Sequence, residues 1–223
     1  MEQGWFIFLE IMLINIVLSG DNAVVIAMAS RNLPPAERRK AVWWGSFGAV
    51  ALRLLLTGAA VYLIRIPYVQ AAGSLLLLYI AVRLTGDHSA AKRVSPAASL
   101  LKAVWTIVVA DFIMSLDNVL AVAAIADGSG VLTLIGVGLS IPLIVWGSTL
   151  IMRLLDRFPL LIFLGAALLG YTAGEMAVKD REVGPVLIGI LPALREALPF
   201  FGAAVVISAG LVGKLLLERR GRD

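Results

Sequence analysis

Apolar residues in this chain come in long uninterrupted runs. They do not alternate like a half-buried strand, nor form the single stripe of a soluble surface helix. The runs cover residues 5–29, 42–64, 66–84, 103–126, 131–152, 158–177 and 197–217. A helix needs about 20 mainly apolar residues to cross about 30 Å of hydrocarbon, so the pattern predicts an all-α, polytopic membrane protein with seven transmembrane helices. Residues 183–194 are also apolar but are interrupted by Pro185, Gly189 and Pro192. They are too few to span, and a short interfacial or re-entrant piece is expected there.

Composition agrees with the runs. The 223 residues are 60% hydrophobic and 15% charged, with a mean hydropathy of +0.94, more apolar than one soluble core can hide. The first four residues carry only an acid, Glu2, unlike the basic start of a cleaved signal peptide, so the first span is expected to remain. The chain has no cysteine, which excludes disulfides and thiolate ligation of a soft metal.

The basic residues orient the spans. One side collects Arg31, Arg38, Arg39, Lys40, Arg83, Lys92, Arg93, Lys102, Arg153, Arg157, Lys214, Arg219, Arg220 and Arg222; the other holds Arg65, Lys179, Arg181 and Arg195. The positive-inside rule then places the N-terminus outside and the C-terminus in the cytoplasm. A sequence pI near 9.7 concentrated in these flanks points to anionic lipid, not nucleic acid, as the partner. Arg31 to Lys40, with Pro34-Pro35 at its centre, reads as a topology-setting loop.

The polar exceptions inside the runs recur. Ser19-Gly20-Asp21-Asn22 in the first run has a counterpart, Ser115-Leu116-Asp117-Asn118, in the fourth, and Asn15 aligns with Asp111 at the same shift. Further on, Gly73 to Tyr79 resembles Gly165 to Tyr171. These matches divide the chain into repeat one (5–85), a flexible linker (86–101), repeat two (102–178) and an extra segment with a seventh helix (183–217). Each repeat holds three spans, an odd number, so the second copy enters the membrane inverted. Inverted repeats of this kind build transporters that open one central site to each side in turn.

An acid at the centre of a membrane helix costs about 2.5–3.5 kcal/mol and is a functional candidate by default. At 100° per residue, Asn15, Ser19 and Asn22 share one helix face within about 60°, as do Asp111, Ser115 and Asn118. Asp21 and Asp117 sit about 120° from those stripes on an intact helix. Either they face another neighbour or the helix breaks, and Gly20 favours a break in the first repeat. A broken helix would add free carbonyls to the carboxylate, amide and hydroxyl oxygens. Such oxygens suit hard or borderline divalent ions such as Mn²⁺, Mg²⁺ and Ca²⁺, and two aspartates match the charge of one such ion. Without the ion the carboxylates repel, which offers a route to metal–proton exchange. The single histidine, His88, falls in the linker, and Met28 and Met114 read as core filling.

Other intramembrane polar residues are candidates for a pathway. Glu10 precedes Asp21 by three turns on the same face, about 16 Å along the axis. Arg53 lies mid-span, too deep to snorkel, and is expected to pair with an acid. Glu175, one turn after Tyr171, is either a pathway ligand or a rim charge.

The segments SGDNAVVIAMASRNLPP, RRKAVWWG and DFIMSLDNVLAVAAIA resemble the TerC family of integral membrane proteins, in particular its YjbE-like branch. The resemblance implies Mn²⁺ export across the bacterial cytoplasmic (inner) membrane, within a wider LysE-type exporter superfamily, with Asp21, Asn22, Asp117 and Asn118 as metal ligands and Asp111 as the second-repeat acid. This chain departs from symmetry in having Asn15 where the second repeat has Asp111. The expected function is therefore transport, not enzymatic catalysis, with Mn²⁺ as cargo, no cofactor, and room for a homo-oligomer. Two alternatives share the features: export of another small substrate, such as an amino acid bound by Arg53 and an aspartate, or delivery of metal to exported proteins by a membrane factor. An intramembrane aspartyl protease also needs two carboxylates, but each aspartate here is followed by Asn and no GxGD pattern occurs.

Overall fold

A computed structural model describes residues 20–63, 66–86, 96–125, 130–158 and 160–220. Within its helices, side chains are described outside 57–63, 86, 96–98, 117–125, 130–141, 143 and 214–220. The described residues form eight α-helices and no strand: α1 (Gly20–Ser30), α2 (Pro35–Leu63), α3 (Val69–Gly86), α4 (Pro96–Ile125), α5 (Gly130–Arg157), α6 (Leu161–Lys179), α7 (Val183–Ile190) and α8 (Leu194–Arg220).

Proline sets two of the starts. Pro35 and Pro96 occupy the first helical position, where the missing N–H costs nothing and the fixed φ favours the first turn. Arg38, Arg39 and Lys40 therefore lie on α2 and not in a loop; the turn is confined to Arg31–Pro34. For the same reason residues 96–101, expected as linker, begin α4. Pro142 and Pro199 fall inside α5 and α8, where membrane helices tolerate them better than soluble ones do.

Three described helices are long and apolar enough to cross a bilayer, Ser99–Leu116, Leu161–Lys179 and Leu194–Gly213, and Val69–Thr85 is a shorter apolar helix. Most of the first expected span lies outside the described residues. Residues 183–190 form the eight-residue α7. The distribution of side chains is that of a protein in lipid: Leu55, Trp105, Trp146, Leu160 and Phe200 face outward while Asn22, Arg53, Asp111 and Ser115 are buried. A soluble monomer rarely exposes so much contiguous apolar surface.

The chain divides into two compact units, residues 1–66 with 96–154, and 67–95 with 155–223. In the first, α4 packs on α1 and α2. A Cβ at Gly45 would sit 2.7 Å from Ile107 Cδ1, and one at Gly48 would sit 3.0 Å from Val108 Cγ2, so glycines let α2 lie close on α4. Farther along α2, Arg53 meets Asp111 and Ser115, so the two helices run parallel. α1 and α5 are parallel as well, since Ala23 faces Gly147 and Ser30 Oγ lies 3.4 Å from Met152 Sδ.

In the second unit α6 packs between α3 and α8. Gly170 lies against Gly202, and Gly174 against Leu198 and Pro199, so α6 and α8 cross antiparallel at backbone distance. Tyr171 and Phe200 stack edge to face beside this crossing, centroids 5.3 Å apart. Asp180, just past α6, ties the unit's loops together: its Oδ2 accepts from Ala71 N (2.9 Å) and its Oδ1 from Glu182 N (3.0 Å) and Val183 N (2.9 Å). Burial pushes the Asp180 carboxyl up, but these backbone donors, with that of Gln70, outweigh it and hold its pKa below the ordinary aspartate value.

Candidate functional site

The first unit carries a buried polar cluster between α2 and α4. Asp111 and Ser115 are one turn apart on α4 and present their side chains to the same neighbour. Arg53 reaches them from α2. Its Nη2 donates to Asp111 Oδ1 at 2.7 Å, its Nε donates to Ser115 Oγ at 3.1 Å, and the Ser115 hydroxyl donates to Asp111 Oδ2 at 3.2 Å. The result is a closed ring of guanidinium, hydroxyl and carboxylate in which both oxygens of Asp111 are engaged. Arg53 is 2% exposed and Asp111 5%. An ion pair so deep offsets its desolvation only when the geometry is good and the remaining polar groups are bonded, and this ring supplies both conditions.

Asp21 joins from α1. It stands in the first turn, accepts from Asn22 N at 2.8 Å through Oδ1, and lies within electrostatic range of both Arg53 and Asp111. Asn22 beside it is buried. Two acidic side chains, half-buried Asp21 and buried Asp111, thus lie within electrostatic range of one buried guanidinium. Among the described residues, no three His, Cys, Asp or Glu side chains converge into a ready-made metal cage.

The sequence candidates divide as follows. Asp21, Asn22, Arg53, Asp111 and Ser115 belong to one unit, and the acid expected to balance Arg53 is Asp111. Glu10, Asn15 and Ser19 lie outside the described residues. Asp117 and Asn118 continue α4, but their side chains are not among those described. Because α4 is continuous through this stretch, its backbone carbonyls stay in the helical ladder, and the free carbonyls that a break would provide do not arise there. Glu175 lies in the second unit, in an exposed pair with Lys179 at 3.7 Å, the setting of a rim charge. Sequence reasoning missed Asp180; an Asp directly after a span and before Arg-Glu-Val is the composition of an Asx turn leading into a new helix, which was the available signal.

The family model described as "Integral membrane protein TerC family" matches residues 1–220. The chain belongs to the TerC family. It is 45% identical over 212 residues to "Uncharacterized membrane protein YjbE" of Bacillus subtilis, covering 95% of this chain and 97% of that one. It is 27% identical over 184 residues to "Uncharacterized membrane protein YceF" of the same organism (78% and 71% covered), and 26% over 231 residues to "Uncharacterized membrane protein YkoY" (93% and 71%). No solved structure matches the chain.

Proposed function

We propose that this TerC-family membrane protein exports a divalent cation, Mn²⁺ foremost, from the bacterial cytoplasm by alternating access. One observation carries the reading: half-buried Asp21 on α1 lies within electrostatic range of buried Asp111 on α4 of the same unit, and Asn22 and Ser115 add oxygen donors on the same two helices. Asp21 is the acid of the first repeat's motif, and the second repeat contributes Asp111 and Asp117. Oxygen-only donors select hard or borderline ions over Zn²⁺ or Cu⁺, and the family resemblance points to Mn²⁺ among them. Asp117 and Asn118 complete the proposed ligand set.

Helix directions support the seven-span inverted repeat, and the distribution of Lys and Arg favours an N-terminus outside. Counting α1, α2, α3, α4, α5, α6 and α8 as spans one to seven, the parallel pairs α1–α5 and α2–α4 are odd with odd and even with even, and the antiparallel pair α6–α8 is sixth with seventh. Exchanging the repeats converts the α1–α5 contact into the α4–α2 contact, as an inverted repeat requires. Carboxylates that lose their cation repel and favour a proton, so we read the transport as metal–proton exchange. An amino-acid exporter would use Arg53 to hold the substrate carboxylate; here that guanidinium is bonded to a carboxylate of the protein itself, Asp111. A factor delivering metal to exported proteins would share the site and differ in moving no net metal.

The test is cellular Mn in cells expressing wild type, Asp21→Asn or Asp117→Asn at equal membrane levels. Export lowers Mn content and Mn sensitivity with wild type alone; equal content in all three would exclude it.

A further inference from the structure

The ring between α2 and α4 poses a problem for the site just proposed. Asp111 is an acid the second repeat offers, yet both of its oxygens are already engaged, one by the Arg53 Nη2 and the other by the Ser115 hydroxyl. Arg53 brings a guanidinium cation and is among the most deeply buried large side chains described. A cation bound through Asp111 would lie close to this charge. The two positive groups compete for the same carboxylate.

We infer that Arg53 is a tethered counter-cation, which occupies Asp111 when no cargo is bound and must be displaced for a divalent ion to bind through Asp111. This rests on the export reading and deepens it. The physics favours exchange over addition. A buried carboxylate stripped of all positive partners is strongly unfavourable, so an exporter that releases its ion needs something to take the ion's place. A proton can do so; Arg53 is a second, permanent means. It keeps the site neutral enough to reorient without cargo and lowers affinity to a value that permits release. Ser115 shares the role: its hydroxyl accepts from Arg53 Nε and donates to Asp111 Oδ2, which aligns the guanidinium on the carboxylate. Ser115 is thereby a positioning residue for Arg53 and not a metal ligand in the closed ring.

The competing assignment, Arg53 as a structural brace and Ser115 as a cargo ligand, makes opposite predictions. Purified protein in nanodiscs is titrated with Mn²⁺ by calorimetry, and Mn²⁺ flux is measured in proteoliposomes. Arg53→Gln keeps hydrogen-bonding capacity and removes the competing charge; its Mn²⁺ Kd is expected to fall about tenfold or more. Its flux is expected to show KM and the maximal rate falling together, because the ion enters readily and leaves slowly. Ser115→Ala retains the charge and loosens its alignment, so its Kd falls a few-fold and its KM follows. Ser115→Ala also serves if Arg53→Gln does not fold. A Kd that rises in Ser115→Ala, or stays at or above the wild-type value in folded Arg53→Gln, overturns the counter-cation role. Absence of Mn²⁺ binding and flux by the wild type overturns the export reading instead, so the two failures are distinguishable.

Discussion

Replacing Asp111 by Asn probes the buried pair on which the first unit depends. The variant keeps the shape and one acceptor oxygen but removes the charge opposite Arg53, which sits 2.7 Å away with a side chain 2% exposed. Neither group is accessible enough for solvent to screen the loss. Breaking a buried ion pair by removing one partner costs about 3–5 kcal/mol, because the other charge is left uncompensated. The introduced amide oxygen can still accept one bond from the guanidinium, which places the expectation at the lower end, about 3 kcal/mol. Removing both charges together is a different perturbation: Arg53→Met with Asp111→Leu fills similar volume with apolar groups, and such swaps are often neutral or stabilising. Unfolding by SDS titration, followed by far-UV circular dichroism, measures all three proteins. The single variant is expected to lose about 3 kcal/mol and the double variant to recover most of it. A single variant within about 0.5 kcal/mol of wild type, the spread of ordinary surface substitutions, would refute a buried charge-balancing role for the pair.

Three further outcomes follow from the same structure. A Cβ at Gly202 would strike the Gly170 carbonyl, which cannot move without separating α6 from α8, so Gly202→Ala is expected to cost about 1–3 kcal/mol in the same SDS assay. Gly189→Ala on α7 has nothing within 4 Å of the added methyl and is expected to be neutral or to gain up to about 1 kcal/mol from helix propensity. Asp180→Ala removes the acceptor for Ala71, Glu182 and Val183 and is expected to cost about 2–3 kcal/mol. Because the folded carboxyl titrates below its ordinary value of 3.8, its stabilisation is complete above that value and is lost as pH falls through the lower folded pKa. The difference between wild type and Asp180→Ala should therefore shrink only in strong acid, and a difference already gone at pH 5 would contradict the assignment.

What the sequence disclosed follows from what periodicity encodes. Asp111 and Ser115 are four apart on a helix, so their shared face was legible, and Arg53 was too deep in an apolar run to be anything but paired. The identity of its partner was not legible, because it depends on α2 lying parallel and close to α4, a tertiary choice made by Gly45 and Gly48 against Ile107 and Val108. Charge alone makes the start of α2 look like loop, whereas Pro35 at a helix N-terminus followed by Glu37 is also a start signal. The pairing of Asp21 with Asp117 rests on the duplicated motif and on charge; the structure brings Asp21 within range of Arg53 and Asp111. The Asp180 connector lies in the charged run Lys179-Asp180-Arg181-Glu182 between two apolar runs, which carries no periodic signal, so only its Asx-turn composition marks it.

Export of Mn²⁺ through a site containing Asp21 is tested by reconstituting purified wild type and Asp21→Asn at equal density in proteoliposomes that enclose a Mn²⁺-quenched dye and imposing a Mn²⁺ gradient. The expected result is rapid quenching with wild type and a rate at the protein-free background with Asp21→Asn. Wild type no faster than protein-free liposomes, or Asp21→Asn as fast as wild type, would contradict it.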